Sequence, residues 1–284
     1  MPETLHMKKA LLISLGVGLC ISCSDSTPHP QPEWRQLFNG KDLNNWIIKI
    51  KDAPLNENTG NVFGVEDGKL VVNYEQYEEF RERYGHIFYN EEFSSYLLGI
   101  EYRFVGEQVK GGPGWAYRNS GVMLHSQSPE SMLLDQDFPV SLEAQFLGGN
   151  GTEARPTGNL CTPGTNVILK GELFTPHCVN STSKTYHGDT WVRAEVLVFK
   201  DSIIHHIIEG DTVLTYTQPQ YDGNDPWVQK LNLPAGAAIS KGYIALQSES
   251  HPVEFRKVEI IDLSRYENNP AKLSELLEKI RKKK

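Results

Sequence analysis

The sequence predicts an all-β fold: a β-sandwich of two antiparallel sheets with a short C-terminal helix. Three observations carry this expectation. Turn residues recur at short intervals, the apolar residues between them mostly alternate with period two, and no helical periodicity intervenes before residues 264–284. Many short alternating strands with no helices between them bury their apolar faces by packing as two sheets.

The chain opens on a different pattern. Lys8 and Lys9 precede the apolar run Ala10 to Leu19, the layout of a secretory leader and too short a run to span a bilayer comfortably. The run ends in Cys20-Ile21-Ser22-Cys23, where small residues before a cysteine resemble a bacterial lipobox. Residues 1–23 are therefore read as a leader with Cys23 as the lipidated residue, plain cleavage and release being the alternative. Residues 24–33, with Ser, Thr and Pro, read as a flexible tether. This expectation places an exported protein in the bacterial cell envelope, periplasmic or at the cell surface, touching the membrane only through its anchor.

Residues 34–263 are enough for one large domain with a substantial core. The net charge of -8, without a basic face, argues against nucleic acid as a partner. Within the domain, Val62 to Val65 and Leu70 to Val72 flank Asp67-Gly68, a dipeptide suited to a tight hairpin turn. Tyr96 to Phe104, Val122 to His125 and Leu142 to Phe146 alternate cleanly. Trp191 to Phe199, Ile203 to Ile208 and Val213 to Tyr216 form a meander, and Tyr243 to Gln247 and Val253 to Ile261 complete the series. Glu75 to Tyr84 reads as a short helix or an inserted loop. In residues 264–284, Asn269 can cap a helix that Pro270 begins, with Leu273, Leu276, Leu277 and Ile280 as its apolar stripe. That helix is expected to pack on the sandwich.

Alternation also sorts the chemistry. If Leu98, Ile100 and Tyr102 face the core, Glu101 and Arg103 face away. By the same reasoning Met123 and His125, Glu143 and Gln145, and Gln247 and Glu249 point outward. Such residues bind hydroxyls or a cation and transfer protons, although an ordinary solvated face is the competing reading. Glu143 with Glu101 or Glu249 would be the carboxylate pair of an ordinary glycosidase.

Leu37-Phe38-Asn39-Gly40-Lys41-Asp42-Leu43-Asn44-Asn45-Trp46 resembles the opening signature of the 3-keto-disaccharide hydrolase domain family. Further matches follow in the same order. They are Val65 to Leu70, Ile100 to Phe104, Asn119 to Leu124, Leu142 to Phe146, Trp191, Ile244 to Gln247 and Val253 to Ile260. The resemblance implies a concanavalin-like jelly roll whose concave face holds a sugar site, with Glu101, Asn119, Glu143, Gln145 and Gln247 on matched positions. It departs from the common pattern at His125, where many relatives carry Arg, and at Ser248-Glu249-Ser250-His251, which replaces an Asp-His pair. A long polar excursion, residues 158–189, looks like a subgroup feature. It holds Cys161 and Cys178, expected to form a disulfide in an oxidising compartment, a free buried pair being the alternative. A zinc set with His177 and His187 fits no standard spacing.

The family likeness implies cleavage of a 3-keto-glycoside by elimination across C1 and C2, followed by hydration. Such chemistry needs a base, an enolate stabiliser and an acid. His125 or Glu143 is the expected base. Arg103, Gln145 or a divalent cation is the expected stabiliser, and Lys184 or Tyr186 is expected to assist departure. No spacing demands a metal. The expected partners are a carbohydrate substrate and an upstream sugar 3-oxidoreductase. The rival reading is a non-catalytic glycan-binding lipoprotein, since jelly rolls also serve as lectin-like modules.

Overall fold

The computed structural model describes Met1 and residues 33–282, so the expected leader, the tether and Cys23 lie outside the described residues. Two antiparallel sheets pack face to face. The seven-stranded sheet runs, in spatial order, Cys178–Val179, Asn159–Cys161, Leu142–Leu147, Asn119–Ser126, Gly242–Ser248, Gly85–Phe93 and Trp46–Ile50. The ten-stranded sheet is centred on Val192–Phe199, Ser95–Phe104 and Val253–Asp262. Only short helices accompany them, so the all-β sandwich expected of a jelly roll is what the chain forms.

The expected hairpin is present as Phe63–Glu66 and Lys69–Val72. Its turn residues Asp67 and Gly68 both have positive φ, 48° and 73°, the conformation a primed turn requires. Leu98, Ile100 and Tyr102 of one sheet and Val122, Leu124, Ala144 and Phe146 of the other fill the core between the layers. Tyr102 stacks on Phe146 with ring centroids 4.3 Å apart, and its hydroxyl meets Thr157 Oγ1 at 2.7 Å, so the polar end is satisfied within the core. Side chains of this size stabilise by roughly 1.5–3 kcal/mol each when fully buried.

The C-terminal helix, Pro270–Lys282, begins where expected, with Asn269 Oδ1 accepting from the Lys272 amide. Leu273 and Leu276 join Leu97, Leu197, Ile207 and Ile261 in a second apolar cluster on the outer face of the ten-stranded sheet. Those sheet residues are out of phase with the main core, and the helix removes them from water. Residues 75–84 form an irregular loop rather than a helix.

Cys161 and Cys178 are bonded and sit directly opposite each other across the two edge strands. The bond ties the edge strand Cys178–Val179, only two residues long, to the sheet. A Cys161→Ser/Cys178→Ser variant is expected to lose about 3 kcal/mol of stability, the loop-closure entropy of a ring of this size. Denaturant titration of wild type with and without reductant checks the same value.

Candidate active site

Antiparallel register lines up the side chains on the outward face of the seven-stranded sheet. Cys178, Cys161, Glu143, Met123, Ala245 and Phe88 follow one another across it in direct register. In the neighbouring row, Asn159 faces Gln145 and Gln145 faces Gly121, while Gln247 faces His86. Glu249 lies just past the end of its strand. Strand alternation therefore delivers Asn119, Glu143, Gln145 and Gln247 to one surface.

Part of that surface is roofed. Met132, from the segment after Ser126, packs on Phe88, Met123 and Ala245. The remaining opening is a cavity of about 360 Å³ with Glu143, Glu249, Asn119 and Gln145 in its lining. Trp115, Phe138 and the Cys161–Cys178 bridge form its walls. Its volume lies at the lower end of small-molecule sites, roughly 300–1,000 Å³. A larger hollow, about 670 Å³, lies over Glu101 on the other sheet. Several of its carboxylates are held in ion pairs, Arg193 reaching Glu101, Glu195 and Glu259.

The cavity's chemistry is that of two buried carboxyls. Burial pushes the Glu143 carboxyl up to about 8. Burial also holds Glu249 well above the usual carboxylate range, and the Glu143 charge adds to that rise. Like charges in a low-dielectric site cannot both persist, so near neutral pH the pair retains a proton. Around it, Glu143 Oε1, Glu249 Oε2, Asn119 Oδ1, both amide atoms of Gln247 and both ring nitrogens of His86 are buried with no protein partner. Each such atom costs about 1–3 kcal/mol, so a concentration of them marks a place built to meet a polar ligand. Burial lowers the His86 imidazole to about 3, so it is neutral and offers one N–H and one lone pair.

Two backbone features hold the pair. Gly121 has no side chain where Glu143 lies; a Cβ there would fall 2.4 Å from Glu143 Oε1. Ser250, which follows Glu249, has φ 89°, a strained conformation for a residue with a side chain. Its amide donates to the buried Tyr74 hydroxyl at 2.8 Å, which fixes the bend that carries Glu249 and His251.

Of the residues expected from sequence, Glu143, Asn119, Gln145 and Glu249 meet at this cavity, and Gln247 lies beside it in the same sheet. His125, one of the two residues expected as base, does not line this cavity. Its φ of 47° breaks the strand's alternation and turns the ring inward, edge-on to Tyr96 at 6.3 Å. There Nε2 contacts Lys200 O at 3.1 Å. A His125→Ala variant is expected to lose about 1–3 kcal/mol of stability and to keep kcat within a few-fold of wild type. Chemical denaturation beside steady-state kinetics checks both.

Glu101 and Arg103 do not join this cavity either, because their strand belongs to the ten-stranded sheet and their outward face is the opposite side of the sandwich. Burial alone would raise the Glu101 pKa, but hydrogen bonds and charges from Lys257 and Arg256 outweigh it and lower it. Arg103 Nε donates to Glu254 at 2.6 Å, and its guanidinium lies over Trp191. Lys184 is exposed, its ammonium 4.9 Å from the Tyr186 ring, and neither residue lines the cavity. Sequence reading missed His86, whose strand Gly85–Phe93 begins with a run buried on both faces and so shows no alternation. It also missed Arg155, which lines the cavity and donates from Nη1 to the Tyr117 and Gly148 carbonyls.

For a metal, the donor set is short. Cys161, His177 and Cys178 bring ligand atoms within 4.8 Å of one another, but both sulfurs are consumed by the disulfide. Among the described residues no second set of three His, Cys, Asp or Glu donors converges so closely.

The model of a family described as the 3-keto-alpha-glucoside-1,2-lyase-like domain matches residues 33–261. Among curated proteins none matches the chain. Similar solved structures include a Parabacteroides distasonis protein provisionally assigned as a glycosyl hydrolase. It is 17% identical with a TM-score of 0.49, over 81% of this chain and 100% of that one. A Bacillus subtilis protein with a galectin-like fold is 13% identical, TM-score 0.48, over 81% and 94%. A Bacillus licheniformis β-glucanase is 11% identical, TM-score 0.44, over 82% and 99%.

Proposed function

The chain belongs to the 3-keto-alpha-glucoside-1,2-lyase-like domain family, and from that premise we propose that it cleaves the glycosidic bond of 3-keto-glycosides. The observation that carries the reading is the buried carboxyl pair Glu143 and Glu249 lining one walled cavity. A ketone at C3 acidifies the proton on C2. The ionised member of the pair removes that proton, and the electron pair moves onto the C3 oxygen as an enolate. Collapse of the enolate forms the C1–C2 double bond and expels the C1 oxygen, which takes a proton from the protonated member. The products are an unsaturated keto-sugar and the released alcohol. Addition of water across the double bond, oxygen to C1 and hydrogen to C2, makes the net reaction a hydrolysis.

One carboxyl kept protonated and one ionised is the condition for acid and base to coexist at one pH. Asn119, Gln145, Gln247 and neutral His86 are the groups that hold ring hydroxyls and the developing enolate. The substrate is a product of sugar oxidation at C3, so an upstream sugar 3-oxidoreductase supplies it. Export and a lipid anchor at Cys23 complete the proposal, supported by the Lys8 to Cys23 pattern and by a disulfide that suits an oxidising compartment.

The test is to incubate the purified chain with a 3-keto-disaccharide and with its unoxidised parent in deuterated water. Cleavage of the keto-sugar alone, with deuterium at C2, is the expected result. Binding of both sugars without cleavage would overturn the catalytic reading in favour of a glycan-binding module.

A further inference from the structure

Trp115 and Glu249 both line the carboxyl cavity, one as an aromatic wall and one as a reacting group. They are joined behind the cavity by a single side chain. Gln108 Nε2 donates twice, to Ser250 Oγ at 2.9 Å and to the Pro113 carbonyl at 2.9 Å. The Pro113 carbonyl also accepts from the Ala116 amide at 3.0 Å, and so opens the short 3-10 helix Gly114–Ala116 that presents Trp115. The indole is 55% exposed and stacks on Tyr84 at an interplanar angle of 17°. At the other end of the bridge, Ser250 lies between Glu249 and His251 and sets their backbone.

The fit around this bridge is close. A Cβ on Gly112 would fall 2.6 Å from both Gln108 Nε2 and Ser250 Oγ, so a glycine is what lets the loop lie against the bend. Ser250 is fully buried and all its polar groups are engaged. Its amide donates to Tyr74, its carbonyl accepts from the Val109 amide at 3.0 Å, and its Oγ accepts from Gln108. A residue at φ 89° persists only where its surroundings over-determine it, and residues 108 and 109 supply two of these three contacts. The Gln108 contact runs on to the base of the Trp115 turn.

We propose that Gln108 is a positioning residue that couples the Trp115 wall to the Glu249 carboxyl, so that a sugar ring seated against Trp115 fixes the bend from which Glu249 acts. The coupling rests on the keto-glycoside reading for its catalytic consequence and on the hydrogen bonds alone for its existence. Gln108 does not line the cavity, so it acts through Glu249 and not on the substrate.

Two experiments test it. Hydrogen exchange of sugar-free wild type and Gln108→Leu, read by mass spectrometry, should quicken about tenfold in residues 112–117 and in 248–252 together, the effect of one lost hydrogen bond. Gly112→Ala, which displaces the same amide from the other side, should do likewise. Faster exchange in one segment alone, or in neither, would overturn the bridge. On a 3-keto-disaccharide, Gln108→Leu is expected to lower kcat about tenfold with KM changed by less than about threefold. The alkaline limb of its pH profile should move to lower pH, because a loosened Glu249 gains access to water and ionises more readily. Ser250→Ala removes the acceptor of the same bridge, so the double variant should be no slower than the slower single one. Effects that multiply, or a lowered kcat with an unmoved pH profile, would overturn the coupling. If wild type cleaves no keto-sugar, the catalytic reading fails, and the exchange data still decide the bridge.

Discussion

Glu143→Gln and Glu249→Gln are each expected to lower kcat/KM on a 3-keto-disaccharide by about 10²- to 10⁴-fold, the contribution of a positioned acid or base. Each substitution keeps the shape of the side chain and removes the shared proton. In wild type the pH–rate profile should be bell-shaped, because activity needs the pair to carry one proton. It should fall on the acid side as Glu143 takes up its proton near its raised value of about 8, which leaves both carboxyls protonated, and on the alkaline side when Glu249, held up by burial and by the Glu143 charge, ionises as well.

The same pair bears on stability with a definite sign. Both carboxyls have folded pKa values raised above the unfolded carboxylate value of about 4.3. Between that value and about 8 the folded chain binds more protons than the unfolded one, so stability falls as pH rises through the window. Replacing Glu143 by Gln should therefore raise Tm at pH 8 relative to wild type and change it little at pH 4. Differential scanning calorimetry at the two values reads this directly. A variant less stable than wild type at pH 8 would mean that the carboxyls are not desolvated as described.

Gly121→Ala is expected to lower kcat by about 10²-fold with a much smaller change in KM, the penalty for moving a reacting group by about an ångström. A methyl at this position cannot coexist with Glu143 where it stands, so the carboxyl must move from its present position. Gly121 is a positioning residue, and the change should therefore shift the alkaline limb of the pH profile, because the nearby Glu143 charge helps to hold the Glu249 carboxyl up. Turnover and pH profile indistinguishable from wild type would show that the site tolerates that movement.

The sequence made the strands legible because one-sided burial writes itself as alternation, and the Asp67-Gly68 turn and the Asn269 cap are local chemistry. It also placed Glu143, Gln145, Gln247 and Glu249 on an outward face. It did not reveal which of two outward faces a strand belongs to. Glu101 and Glu143 read alike in sequence, yet they lie on opposite sides of the sandwich because register with Val192–Phe199 assigns the Glu101 strand to the other sheet. His125 was hidden for a different reason: one residue at positive φ reverses the in-and-out order, and nothing in Leu124-His125-Ser126 announces it. His86 was hidden because a strand buried on both faces has no period to read. Gly121 was visible as a glycine, but its use, making room for a carboxyl one strand away, is a property of the folded sheet alone.

The central claim is that Glu143 and Glu249 divide the work of base and acid on a keto-sugar. The measurement that tests it most directly follows C2 deuterium exchange and bond cleavage separately, on a 3-keto-disaccharide in deuterated water, for wild type and both Gln variants. The variant lacking the base should lose exchange and cleavage together, while the variant lacking the acid should still exchange C2 but cleave slowly. Wild-type rates of exchange and cleavage in both variants would contradict it.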